Sequence, residues 1–321
     1  MALSYSYVEG WGQAPAEYPF KDVVGVQVAP DDRVYILTRF DSQVLVFESD
    51  GRFVRSFAQG VFTPRTHGLT LGPDGSLFCV DDGDHTVRKF NAAGEMVMMI
   101  GTPGVASDSG YTGSMASITR GAGPFNRCTN LAIAPSGDLY VSDGYGNARV
   151  HRFSAAGKLI QSWGEPGTGP GQFNLPHGVA IESTGEVWVA DRENDRIQIF
   201  TADGKYLREW TQVQRPTQVR IQAGRVYVAE LWWRVGQQSM RHGPITTDHF
   251  GRISVFDMAG NLLGRIEGGP NPARPGGLVA PHDCAVDSKG NIYVGEVTET
   301  FAVKPGVVPA GTHCFQKFAA G

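Results

Sequence analysis

What most constrains this chain is an internal repeat. A strand, a Pro-Asp-Gly-like turn, a second strand ending in a carboxylate and then a third strand recur in six copies, over residues 20–57, 62–100, 125–163, 173–210, 215–266 and 279–318. Units of about 40 residues built this way have the length of four-stranded propeller blades. Within a copy the apolar residues alternate with period two and are β-branched or aromatic, as in Val187-Trp188-Val189 and Arg196-Ile197-Gln198-Ile199-Phe200, which is the pattern of strands. Pro73-Asp74-Gly75, Pro135-Ser136-Gly137 and Asp203-Gly204 supply the turns. Helical periodicity is nowhere sustained, so the expected fold is an all-β, six-bladed β-propeller occupying 1–321 as one domain. The last copy runs out at its third strand, His313 to Phe318, while Tyr5 to Gly12 reads like the fourth strand of other copies. The N-terminal strand is therefore expected to complete the last blade and close the ring, removing its free edges.

Composition fits this picture and narrows the function. Gly 42 and Pro 19 suit many tight turns, and 41% hydrophobic residues can fill a continuous core. A net charge of −4 with no basic run argues against nucleic acid or an anionic membrane as partner. Cys79, Cys128, Cys284 and Cys314 are scattered with no CxxC pair, so buried free thiols are expected rather than a zinc knuckle or disulfide framework. No stretch approaches the roughly 20 apolar residues of a spanning helix and no leader pattern opens the chain, from which a cytoplasmic protein is expected. Two insertions break the repeat, at 102–124 and 232–250. The second, with its aromatics and cations, is the better candidate to overhang a site, since long loops in a compact domain are more often functional than filler.

The repeats converge on one position. The repeat position at the start of the innermost strand reads Val24, His67, Thr129, His177, Thr217 and His282 in blades one to six. Histidine marks alternate blades, which lie 120° apart in a six-fold ring, so three imidazoles can meet on the axis. Three neutral imidazoles with an open fourth position are the ligand set of catalytic zinc, although iron or manganese also accepts such a set. His85, His151 and His313 fall outside this phase and read as surface or structural residues. Most carboxylates that end the second strands (Asp81, Asp143, Asp191, Glu230, Glu296) read as binders of backbone N–H groups in neighbouring turns. Arg39, Tyr145 and Arg192 depart from the repeat at the same mouth. A guanidinium there can clamp a carboxylate, and a tyrosine can transfer a proton.

The stretch from Val141-Ser142-Asp143-Gly144-Tyr145 through Ser162-Trp163-Gly164, Pro176-His177 and Val189-Ala190-Asp191-Arg192-Glu193-Asn194 resembles the lyase domain of peptidylglycine α-amidating enzymes, a six-bladed propeller of NHL-type repeats. That domain cleaves peptidyl-α-hydroxyglycine to a peptide amide and glyoxylate. The resemblance implies that His67, His177 and His282 bind a catalytic Zn²⁺, that Tyr145 is the base, and that Arg39 and Arg192 engage the substrate. It also implies a structural Ca²⁺ held by Asp283 and by the backbone carbonyls of Leu69 and Val23. The chain departs from the family where Gly146 and Asn126 stand in place of two bridging cysteines, where Ala280 replaces a methionine, and over 232–250. The expected activity is a zinc-dependent carbon–nitrogen lyase acting on an α-hydroxyglycine-type amide, with a small-molecule or short peptide-like substrate that carries a carboxylate. Two rivals keep the fold: a metal-dependent hydrolase or hydratase of a small ester or lactone, and a non-catalytic binding platform.

Overall fold

A computed structural model describes residues 3–39 and 43–321. Among them lie six four-stranded antiparallel sheets arranged as propeller blades, and the all-β expectation holds. The innermost strands are Val23–Val28, Thr66–Leu71, Cys128–Ile133, Pro176–Ile181, Pro216–Gln222 and Pro281–Val286. In the sixth blade Tyr5–Val8 pairs with Phe315–Ala320, Tyr5 opposite Ala320 and Val8 opposite Lys317. The N-terminal strand thus closes the ring, as the sequence predicts.

The core lies between blades rather than in one central mass, because each sheet buries both faces against its neighbours. Val80, Phe90, Leu131, Val141 and Phe153 belong to such seams, as do Trp188, Ile199, Val219 and Phe256. The four cysteines are buried and free. No helix among the described residues is long and apolar enough to cross a membrane. A third interruption, not anticipated from the sequence, lies between Ile292–Glu296 and Phe315–Ala320 and contains a single short turn of π-helix, Glu299–Val303.

Every innermost strand carries a β-bulge at its start. The pairing with the second strand skips one residue in each blade: Val24, His67, Thr129, His177, Thr217 and His282. A bulge leaves one residue outside the ladder and re-aims its side chain. The repeated position of the sequence is therefore the bulged position of the fold, and its side chains turn toward the axis instead of alternating with the pleat.

The glycines after His67 and His177 have a packing reason. A Cβ on Gly68 would stand 2.8 Å from the Thr129 carbonyl oxygen, and one on Gly178 would stand 2.7 Å from that of Thr217. The His-Gly pair thus lets one blade press its bulge against the next. Gly68→Ala is expected to force the two bulges apart and to cost about 1–3 kcal/mol, the scale of overpacking, as a lowered urea midpoint.

Candidate metal centre

Each axial histidine is locked by the neighbouring blade. His67 Nδ1 lies 2.6 Å from the Thr129 carbonyl, His177 Nδ1 lies 2.7 Å from that of Thr217, and His282 Nδ1 lies 2.8 Å from that of Val24. A carbonyl only accepts, so each Nδ1 carries the proton and each Nε2 presents a lone pair. The three ligand nitrogens lie within 4.8 Å of one another, and those of His67 and His282 are 3.2 Å apart. Two lone pairs at that distance repel; a shared cation reverses the sign. The donor set therefore fits a divalent metal, with outer carbonyls fixing tautomer and ring orientation as they commonly do.

Burial holds the imidazoles neutral. His67 and His177 lie well below the ordinary histidine range and His282 falls to about 3, with burial the main cause and the Arg39 or Arg192 charge a further one. Above the centre the Tyr145 hydroxyl stands 3.2 Å from His67 Nε2 and 3.3 Å from His177 Nε2. Arg192 Nη1 donates to the same oxygen at 3.2 Å, and its Nε donates to Glu193 at 2.8 Å. Burial disfavours the Arg192 charge, but Tyr145 and Glu193 more than offset it. Arg39 donates from Nε to the Thr66 carbonyl at 3.1 Å and lies 3.8 Å from Asp22. The structure thus brings His67, His177, His282, Tyr145, Arg192 and Arg39 to one mouth.

The residues expected to hold calcium come together differently. The Asp283 carboxylate is fully buried and accepts from Val26 N–H (2.9 Å), Cys284 N–H (2.8 Å) and Arg220 Nη2 (2.9 and 3.0 Å). The Leu69 carbonyl accepts from Gln27 Nε2 at 2.8 Å, and Val23 packs against Gly295. A calcium ion asks for six to eight unengaged oxygens; here a guanidinium already supplies the positive charge, so the expected calcium set of Asp283, Leu69 and Val23 does not fit the ion.

The remaining candidates are structural. Asp81, Asp143, Asp191, Glu230 and Glu296 accept from backbone N–H groups of Thr63, Asn126, Asn174, Gln214 and Val279 respectively. His151 is buried against Ser162 and Asp143, which removes it from the surface, and His313 meets Gly277 and Glu296. His85 accepts from Arg127 N–H at 2.9 Å. The second insertion is tied to blade four, with Trp233 Nε1 and Ser239 Oγ both donating to Asp195. Both insertions line a cleft of about 570 Å³ that also touches Asn147, Leu175 and Glu193 beside the centre. Sequence reading missed Arg65, whose guanidinium lies 5.8 Å from the Tyr145 ring. Its signal is a charge two residues before a ligand, where the other two histidine blades have Leu175 and Ala280.

Residues 125–153 and 173–200, in blades three and four, match the NHL repeat. Human NHL repeat-containing protein 3 is 30% identical over 92% of this chain and 82% of its own length. Peptidyl-alpha-hydroxyglycine alpha-amidating lyase 1 of Drosophila melanogaster is 28% identical over 72% of this chain and 42% of its own length. Virginiamycin B lyase from Staphylococcus aureus superposes with a TM-score of 0.57 at 12% identity, covering 99% of this chain and 98% of that one, a likeness of fold.

Two outcomes test the centre and the axial ion pair. Unfolded histidines take up protons near pH ~6.5, whereas the folded ones resist, His282 down to about 3. The unfolded state binds more protons in between, so stability is complete above pH ~6.5 and falls as the pH is lowered through that window. Urea midpoints of chelator-stripped protein are expected to drop from pH 7 to pH 4.5, with a shallower slope for His282→Gln. Removing the charge opposite Asp283 with Arg220→Met is expected to cost about 3 kcal/mol, while calcium leaves the melting temperature of the unaltered protein unmoved.

Proposed function

The chain belongs to the family of NHL repeat-containing protein 3, and on the strength of its three buried axial histidines we propose that it is a zinc-dependent lyase that cleaves the C–N bond of an α-hydroxyglycine-type amide. The observation that carries this reading is a tyrosine oxygen within 3.3 Å of two ligand nitrogens whose protons are all committed elsewhere. Its relatives include a named amidating lyase, and the grouping of Tyr145, Arg39 and Arg192 around the three histidines supports the reading.

When bound by His67, His177 and His282, zinc would act as a Lewis acid that polarises the substrate hydroxyl. Tyr145, acting as the phenolate, accepts the hydroxyl proton and becomes the phenol. The O–H electron pair forms the carbonyl, the C–N pair passes to the amide nitrogen, and the proton returns there through Tyr145. The products are an amide and glyoxylate, with no water consumed. Arg192 fixes the Tyr145 oxygen by its hydrogen bond and offsets the negative charge of the phenolate that takes the proton. Glu193 keeps Arg192 in place, and Arg39 adds a second positive charge beside the ligands. The cleft between the two insertions would take the acyl part of the substrate. The four buried free thiols suit the reducing cytoplasm.

Glyoxylate release from N-benzoyl-α-hydroxyglycine by protein holding one zinc per chain tests this directly. His177→Ala is expected to abolish both zinc content and glyoxylate release. Tyr145→Phe is expected to keep the zinc and lose about 10²–10⁴-fold in turnover, the range of general acid–base catalysis. An unchanged rate in Tyr145→Phe removes it as the base, and release of benzoate in place of benzamide assigns a hydrolase instead.

A further inference from the structure

A substrate carboxylate needs a guanidinium with open N–H groups, and the two arginines singled out by the resemblance have few left. The Arg39 side chain is 8% exposed and tied to Thr66 and Asp22. That of Arg192 is 11% exposed, with Nε on Glu193 and Nη1 on Tyr145. Arg215, the other cation on Glu193, is equally covered and lies over the Trp233 ring at 4.1 Å.

Arg65 differs on each count. Its side chain is 44% exposed. Nε and Nη2 donate to the two oxygens of Asp82 at 2.5 and 2.9 Å, and Asp82 is fully buried. The guanidinium is thus held from behind by a fixed base, and its Nη1 has no hydrogen-bond partner among the described residues. The Nη1/Nη2 edge stays open in the geometry that binds a carboxylate through two parallel bonds. It opens beside the reacting groups, because the guanidinium lies 5.8 Å from the Tyr145 ring, which also has Arg192 at 5.4 Å and the His67 and His177 rings against it. Tyr111 of the first insertion also faces Arg65: burial opposes the Arg65 charge, and Asp82, Tyr145 and Tyr111 sustain it. Arg127 stacks on Tyr111 at 5.5 Å, so the same side of the mouth carries a second cation.

We propose that Arg65 is the residue that receives the substrate carboxylate, and that it thereby selects α-carboxylated amides over neutral ones. This rests on the lyase reading for the substrate's identity but not for the binding event, so the two are separable. Hippurate, which has the same acyl-glycine skeleton without the reactive hydroxyl, serves as the probe, with methyl hippurate as the neutral control. Calorimetry on the zinc-loaded protein should show hippurate binding weakened about tenfold or more in Arg65→Gln and Arg65→Lys, the scale of a charged hydrogen-bonded pair, with methyl hippurate unaffected. Arg65→Lys keeps a charge on Asp82, and circular dichroism checks that both variants are folded. In turnover of N-benzoyl-α-hydroxyglycine the same change is expected in KM, with kcat within about twofold. Hippurate that binds Arg65→Lys and Arg65→Gln as well as it binds the unaltered protein overturns the proposal, as does no hippurate binding at millimolar concentration. Binding that depends on Arg65 in a protein that releases no glyoxylate keeps the carboxylate site and discards the lyase.

Discussion

Everything at the centre of this molecule depends on a hydrogen bond between a histidine of one blade and the bulge carbonyl of the next. The bond settles the tautomer, and the tautomer leaves the Nε2 lone pair available to a metal. It also adds a polar tie to the apolar seam between two blades. The glycine that follows His67 or His177 belongs to the same contact, because the carbonyl that receives Nδ1–H is the one a Cβ at that glycine would strike. One local distortion of a strand thus aims a side chain, binds two sheets and prepares a lone pair.

The threonines between the histidines continue the circuit. Thr129 Oγ1 donates to the Pro176 carbonyl and Thr217 Oγ1 to that of Pro281. Histidine passes its proton to one neighbour and threonine to the next, so five of the six junctions are made by bulged side chains. Blade one has Val24, which has no donor to offer. Arg39 Nε fills the gap by donating to the Thr66 carbonyl, the counterpart of Pro176 and Pro281.

Much of this could be read from the sequence, for a physical reason. A propeller repeats its strands in phase, so the repeat register alone aligns His67, His177 and His282 and places them on alternate blades. The closing role of Tyr5–Val8 was legible because an unpaired edge strand demands a partner. Contacts that cross between blades without repeating were not legible. Arg220 reaches Asp283 over 63 residues, and nothing in the local pattern around Val219 or Ile221 announces it; the family resemblance pointed instead to an ion. Arg65 escaped notice because its meaning lies in Asp82 beneath it and Tyr145 beside it, which adjoin only when two loops fold over the same mouth. The role of Thr129 and Thr217 was not legible either, since a hydroxyl donating to a neighbouring backbone leaves no trace in periodicity.

The absent hydroxyl at Val24 has a wider consequence. Three identical ligands on a near-trigonal axis define no direction, and a small molecule could settle on them in three rotational settings of equal energy. Because one junction of the six lacks its donor, a cation is drawn in to bridge it on that side alone, and Tyr145 occupies another. The pocket therefore has a front and a back although its ligands do not, and the three rotational settings cease to be equivalent. Symmetry builds the centre here, and a single lapse in it gives the centre orientation.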